Sequence, residues 1–300
     1  MELIPDNIDF TAYQDEPETH KVRPASAFVS GTIEAFYPPP ATRSNPRPLW
    51  EKASGKLEFR PGEVSLWAGI NGHGKSMLLS QVTLDLMVQD ERVLVLSFEM
   101  RPVRQMLRMS RQAHASAQPP VPFIKNFHRW TDGRLWIYDH TGSTHWEKVL
   151  AVMRYAQEKF GATQFIIDSL MKCVRGDDDY NAQKDFVNEL CVFAQGRQVH
   201  VHLVHHVRKG ESEDKVPGKF DVKGAGAIAD QVDNAFIVWR NKRAERDDPS
   251  KPSAMLKCDK QRNGDWEGVL GLWFHTESMQ YLECSGGIPM RYELIEDVRI

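Results

Sequence analysis

Gly69-Ile70-Asn71-Gly72-His73-Gly74-Lys75-Ser76 lies between an apolar run ending at Ala68 and a stretch with helical periodicity beginning at Lys75. The octet fits the P-loop pattern at every fixed position, in the strand-to-helix setting that its mechanism requires. Glycines there let backbone N–H groups turn inward around phosphate oxygens, and the start of a helix adds its dipole. Gly69, Asn71, Gly72, His73 and Gly74 form the expected cradle. Lys75 would reach the β- and γ-phosphates, and the Ser76 hydroxyl would hold Mg²⁺. ATP and Mg²⁺ are the ligands this stretch implies.

Working outward, the pattern alternates strand and helix. Strands are expected at 63–68, 92–98, 135–138, 164–168 and 199–205, each a short, mostly apolar run. Helices are expected at 75–88, with Leu78, Val82 and Leu86 inward, at 146–160, and around Phe186, Leu190 and Phe193. Further strands follow at 234–239, 254–258, 269–274 and 280–283. Such alternation predicts an α/β domain with a mostly parallel central sheet flanked by helices, and a strand-rich C-terminal part.

Two carboxylates stand where such sheets bind ligands, at the C-terminal ends of strands. Asp168 ends the run Phe165-Ile166-Ile167 and is placed to hold Mg²⁺ through water. Glu99, in Ser97-Phe98-Glu99-Met100, ends the strand after the P-loop helix and could orient or deprotonate an attacking water.

From about Pro61 to Glu283 the chain resembles the ring-forming replicative helicases: the bacterial DnaB type, the phage primase-helicases and the mitochondrial enzyme. Five blocks carry the resemblance in order. They are Pro61-Gly62-Glu63 with the P-loop, Ser97 to Met100, Phe165 to Asp168, Leu203-Val204-His205-His206, and Lys260-Gln261-Arg262-Asn263-Gly264. The resemblance implies a RecA-like P-loop ATPase core and a homo-oligomeric ring, of six subunits, with ATP sites between neighbours. It implies that Arg262 is an arginine finger acting on the neighbour's ATP, with Lys260 as companion cation. Taken alone, the same residues would read as a basic hairpin turn, since Asn-Gly favours one.

In the resembling family, the position of His206 senses the γ-phosphate. His205 is adjacent, and strand alternation lets only one of the two face the nucleotide. A loop follows, carrying Arg208, Lys209, Lys215, Lys219 and Lys223 and leading to Gly224. By resemblance this is a central-channel contact to single-stranded DNA, although Glu211, Glu213, Asp214 and Asp221 nearly balance its charge. A regulatory or recombination-type RecA-like ATPase that does not unwind DNA shares several of these features and stands as the alternative.

Composition sets limits. The 300 residues carry a net charge of −3, so nucleic acid would have to be met by a local patch and not a global basic field. Four separated cysteines show no zinc or disulfide spacing. No stretch approaches a membrane span, and a cytoplasmic location is expected. The first sixty residues, with Pro38, Pro39, Pro40, Pro46 and Pro48, read as a Pro-rich arm or linker before a motor domain at 61–300. One reading has the arm pack Phe28, Phe36, Tyr37 or Trp50 onto a neighbouring subunit. Sixty such residues are too few for a primase or primase-recruiting domain, which argues against both roles for this chain and leaves a separate primase or loader as a candidate partner.

Overall fold

The computed structural model describes residues 3–4, 24–37, 39, 44–174, 179–207, 216–218, 221 and 226–294. Their strands are β1 (Leu3–Ile4), β2 (Val64–Gly69), β3 (Val93–Ser97), β4 (Leu135–Tyr138), β5 (Gln164–Asp168), β6 (His200–His206), β7 (Asn234–Arg240), β8 (Ala254–Gln261), β9 (Gly268–His275) and β10 (Gln280–Leu282). They join in one sheet of order β1-β4-β3-β5-β6-β2-β7-β8-β9-β10. Strands β1 to β7 run parallel, and β8, β9 and β10 continue the sheet as an antiparallel meander. The expected α/β architecture with a strand-rich C-terminal part is what the chain adopts.

The helices are α1 (Val29–Phe36), α2 (Lys75–Val88), α3 (Pro102–His114), α4 (Val121–Thr131), α5 (Trp146–Phe160), α6 (Tyr180–Arg197), α7 (Gly226–Gln231) and α8 (Lys242–Asp247). They cover both faces of the parallel strands, which explains why β2, β3 and β5 are buried at every position. On one face Leu66, Leu96, Ile167 and Leu203 meet α5 and α6 through residues such as Leu150 and Phe186. On the other, Trp67, Val95, Ile166 and Val204 meet the P-loop helix α2 together with α3 and α4.

Helices α3 and α4 are absent from the periodicity reading. Their prolines hide them, yet Pro102 and Pro122 sit in first turns, where a missing N–H costs nothing.

The packed body also begins upstream of Pro61. Trp50, Ala53, Leu57 and Phe59 are buried in the core of the domain. Trp50 Nε1 donates to Tyr281 O at 2.9 Å, and Leu49 N donates to Asp85 of α2 at 3.1 Å. Trp50 is thus an internal residue and not a contact to a neighbour, correcting one part of the arm reading. Phe28, Phe36 and Tyr37 are exposed on and beside α1.

Within β6 two buried histidines are held neutral. His200 Nδ1 donates to Arg60 O at 2.7 Å while its Nε2 accepts from Ser65 Oγ at 2.9 Å. His202 Nδ1 accepts from Trp67 Nε1 at 3.2 Å, and its Nε2 donates to Gln164 Oε1 at 3.1 Å. Burial pushes His200 down to about 4 and His202 well below the usual histidine value. A depressed histidine adds stability that is present above its unfolded pKa of about 6.5 and lost as pH falls below it. Wild type should therefore exceed His202→Gln in unfolding free energy at pH 7. That margin should shrink by up to about 1.4 kcal/mol per pH unit below 6.5. Urea unfolding of both proteins at pH 7.5, 6 and 5 measures it, and a margin independent of pH would show that His202 takes up a proton in the fold as readily as in the unfolded chain.

Candidate functional site

Strand β2 ends at Gly69, and the chain turns through Gly72 and Gly74 at φ +78° and +90° before α2 begins at Lys75. Both turns lie in the left-handed region, where a side chain is strained. At Gly69 a Cβ would run into Val238 O, so β7 closes the cradle from one side. His73 is buried, and its Nδ1 accepts from Arg240 N at 3.1 Å.

Lys75 folds back over this cradle. Its Nζ donates to Gly69 O at 2.9 Å and to Ile70 O at 3.0 Å. The side chain is buried, and desolvation lowers its pKa to about 8 against the pull of Asp168 and Glu99. Asp168 is buried at the end of β5, in register with Ser97 of β3. Burial raises its pKa, opposed by a hydrogen bond from Ser76 and by the charges of Lys75 and Arg108, while Glu99 raises it further. Glu99 is exposed just beyond β3, and Ser169 Oγ donates to its Oε1 at 3.4 Å. The Asp168–Ser169 peptide between these groups is cis. Lys75, Ser76, Asp168 and Glu99 are thus brought together from three separate elements.

The cradle fits a nucleotide, and Ser76 together with Asp168 fits a metal ion. Val238 O and the Tyr281 phenol leave no room for a side chain at Gly69 and Gly74, so bare backbone forms the wall of the cradle, as close approach of amides to phosphates requires. Ser76 and Asp168 already share a hydrogen bond between two hard oxygen donors, the ligand type that suits Mg²⁺.

Strand register separates the two adjacent histidines. His206 lies opposite Gly69 and His205 opposite Ala68. Alternation puts His206 on the face of Val204 and α2, which is also the face of Ile166 and Asp168. His205 falls on the opposite face with Leu203 and is fully buried.

Lys260 and Arg262 are not part of this cluster. Lys260 is paired with Ala235 and Gln261 with Asn234, at the beginning of β7, which is level with Ser65 near the beginning of β2. The P-loop leaves the other end of β2, roughly 13 Å of strand away. Lys260 Nζ donates to the carbonyls of Ala229, Asp230 and Val232 at 3.0, 2.8 and 2.7 Å. Arg262 pairs with Asp233 at 3.0 Å and donates to Gln231 O at 3.1 Å. Both cations rest at the C-terminal end of α7, where a helix dipole favours positive charge. Of the expected DNA contacts, Arg208, Lys209, Lys215, Lys219, Lys223 and Gly224 all lie outside the described residues.

Two residues near the site escaped the sequence reading. Arg108 of α3 lies in the field of Asp168 and Tyr281, and burial lowers its pKa. Tyr281 of β10 reaches Gly74. Arg101, Arg104, Arg108 and Arg111 recur at helical spacing, which is the only signal that would have marked Arg108, and it is legible only once α3 is known to be a helix.

Residues 41–212, more than half of the chain, match the family model described as AAA domain. The replicative DNA helicase DnaB of Leifsonia xyli subsp. xyli (strain CTCB07) is 28% identical over 146 residues. Those residues are 47% of this chain and 32% of that protein, so the chain spans about a third of the length of this curated relative. Among solved structures, the ATPase domain of G40P is similar at TM-score 0.73 and 16% identity, over 86% of this chain and 98% of that one. A structure described as a DnaB-like replicative helicase and its interactions with primase gives TM-score 0.73 and 16% identity, over 86% of this chain and 68% of the other. The chain belongs to the AAA domain family, and its fold is the RecA-like fold of the DnaB-like helicase ATPase domains.

Proposed function

We propose that this domain hydrolyses ATP at the interfaces of a homo-oligomeric ring of six subunits, and uses the cycle to translocate on single-stranded DNA. One observation carries the reading. Lys75, Ser76, Asp168 and Glu99 converge at the C-terminal ends of the parallel strands, while Lys260 and Arg262 sit level with their opposite ends. A cation pair at that end of the strands serves a nucleotide site only if the site belongs to another subunit.

In this reading Lys75 exchanges the Gly69 and Ile70 carbonyls for the phosphates. Glu99 takes the proton of the attacking water. His206, on the nucleotide face of β6, reports the γ-phosphate to residues 208–224, whose Arg208, Lys209, Lys215, Lys219, Lys223 and Gly224 would track the DNA backbone. Ser76 and Asp168 would hold Mg²⁺, which supplies charge neutralisation on the phosphates. Arg262 and Lys260 act on the neighbour's nucleotide. Assembly has further support in two exposed apolar surfaces. One is the side of α1 bearing Val29, Ile33 and Phe36, and the other is a groove between α3 and α4 lined by Val103, Leu107 and Val121.

The pairing of Lys260 and Arg262 with their own subunit's carbonyls favours the second reading, a regulatory ATPase that does not move on DNA. ATP turnover with and without single-stranded DNA decides between them. Stimulation that fades steeply with salt, with displacement of one strand from a forked duplex, is expected from a translocating motor. Turnover indifferent to DNA in an assembled ring would establish the regulatory reading.

A further inference from the structure

Gly74 is the hinge between the phosphate cradle and α2, and its surroundings are unusual for a residue that must face a ligand. Its carbonyl accepts the first helical hydrogen bond of α2, from Leu78 N at 2.9 Å. The same carbonyl accepts from Tyr281 Oη at 3.4 Å, and a Cβ at Gly74 would run into that phenol oxygen. Tyr281 arrives from β10, more than two hundred residues later in the chain, and is itself buried.

The tyrosine is fixed at its backbone. Gln81, on the P-loop helix, donates through Nε2 to Tyr281 O at 3.2 Å and accepts from Tyr281 N at 2.7 Å. Trp50 Nε1 donates to the same carbonyl at 2.9 Å. Phe274 packs on the ring at 5.2 Å between centroids. A closed brace results, from Gly74 along α2 to Gln81, across to β10, and back through the phenol to Gly74. On the other side of the turn, Arg240 N holds His73. The cradle is therefore clamped from below at two successive residues, both by the C-terminal part of the sheet.

We propose that Tyr281 is a positioning residue of the nucleotide site. By fixing the Gly74 peptide it sets the direction of the backbone amides that open α2, the groups that meet a phosphate. This rests on the reading of Gly69 to Ser76 as a nucleoside triphosphate site. Tyr281 touches no substrate and acts through Gly74, so it contributes to binding in ground state and transition state alike.

The consequence is a split between KM and kcat. Tyr281→Phe keeps the ring and removes one hydrogen bond, and should raise the Kd and KM for Mg-ATP about two- to tenfold. The kcat at saturating ATP should stay within about twofold, as for any loss of uniform binding. Tyr281→Ala, which also empties the space under Gly74, should raise Kd further. Calorimetric titration with Mg-ATP and steady-state hydrolysis measure both quantities, with melting of the nucleotide-free proteins as the check on folding. Tyr281→Phe alone carries the test where Tyr281→Ala fails to fold. An unchanged Kd in Tyr281→Phe, or a fall in kcat at constant KM, overturns the assignment. Lys75→Ala separates this failure from that of the underlying site. If Lys75→Ala loses Mg-ATP while Tyr281→Phe binds as wild type does, only the role of Tyr281 falls. If Lys75→Ala binds as wild type does, the nucleotide site and the role of Tyr281 fall together.

Discussion

Lys75→Ala should lose at least about a hundredfold in ATP turnover while melting no lower than wild type by more than a few degrees. The first half follows from position. Lys75 is the buried cation at the mouth of the cradle, and removing one preorganised donor to developing charge costs about 10²–10³ in rate. The second half follows from its electrostatics. Burial lowers the lysine pKa to about 8, so the fold holds this cation at a cost and not for its own stability. A lysine with a depressed folded pKa contributes stability present above its unfolded pKa of about 10.4 and lost as pH falls. At pH 7 nearly all of that loss has occurred, and the alanine variant escapes it. The alanine does leave Gly69 O and Ile70 O without their partner, but Ile70 is only half-buried and water can replace the ammonium. Hydrolysis at saturating ATP and thermal melting without nucleotide test the two halves separately. Near-normal hydrolysis in the folded variant would remove the site from Gly69 to Ser76.

The parts of this site legible in the sequence are those written locally. The P-loop octet occupies consecutive residues, and Asp168 closes an apolar run that reads as a buried strand wherever it occurs. What the sequence withheld depends on distant elements meeting. Tyr281 sits in a short stretch with no motif of its own, and only the order of β2, β7, β8, β9 and β10 carries it to Gly74. Trp50 lies in a Pro-rich segment whose composition suggests an extended arm, yet its indole finds Tyr281 O and a place in the core. Composition averages over the segment, whereas burial is decided by the few large apolar side chains within it. The choice between His205 and His206 was open for a different reason. Alternation says that they face opposite ways, but only the pairing of β6 with β2 says which way is which.

Arg262→Ala should be inactive as a homo-oligomer and should be rescued by subunits that are themselves inactive. Its guanidinium lies with Asp233 and Gln231 O at the end of the sheet where β2 begins, whereas Lys75 lies where β2 ends. Within one subunit the two cannot meet at one phosphate without unravelling β8. A finger supplied in trans is worth roughly 10³–10⁵ in rate in nucleotide hydrolases, so its removal should be nearly as severe as that of Lys75. To serve a neighbour, Arg262 must leave an ion pair whose arginine is 45% accessible but whose Asp233 is buried at 4%. Val64 N donates to the Asp233 carboxylate at 2.9 Å and keeps it hydrogen-bonded when the arginine leaves, which limits the cost of the move against a rate gain of several powers of ten. Mixing Arg262→Ala with Lys75→Ala subunits creates some interfaces in which an intact P-loop faces an intact arginine. Turnover should then rise above either parent, in proportion to the fraction of such interfaces. If the ring fires in strict sequence, dead neighbours would mask the rescue in steady state, and single-turnover hydrolysis would still reveal it. Arg262→Lys sharpens the test, because a lysine keeps the charge but not the planar fork, and should recover little. Full activity in the Arg262→Ala homo-oligomer, or strong turnover by dilute wild-type monomer, would place the whole reaction within one subunit. The cations beside α7 would then be the cap of a helix and nothing more.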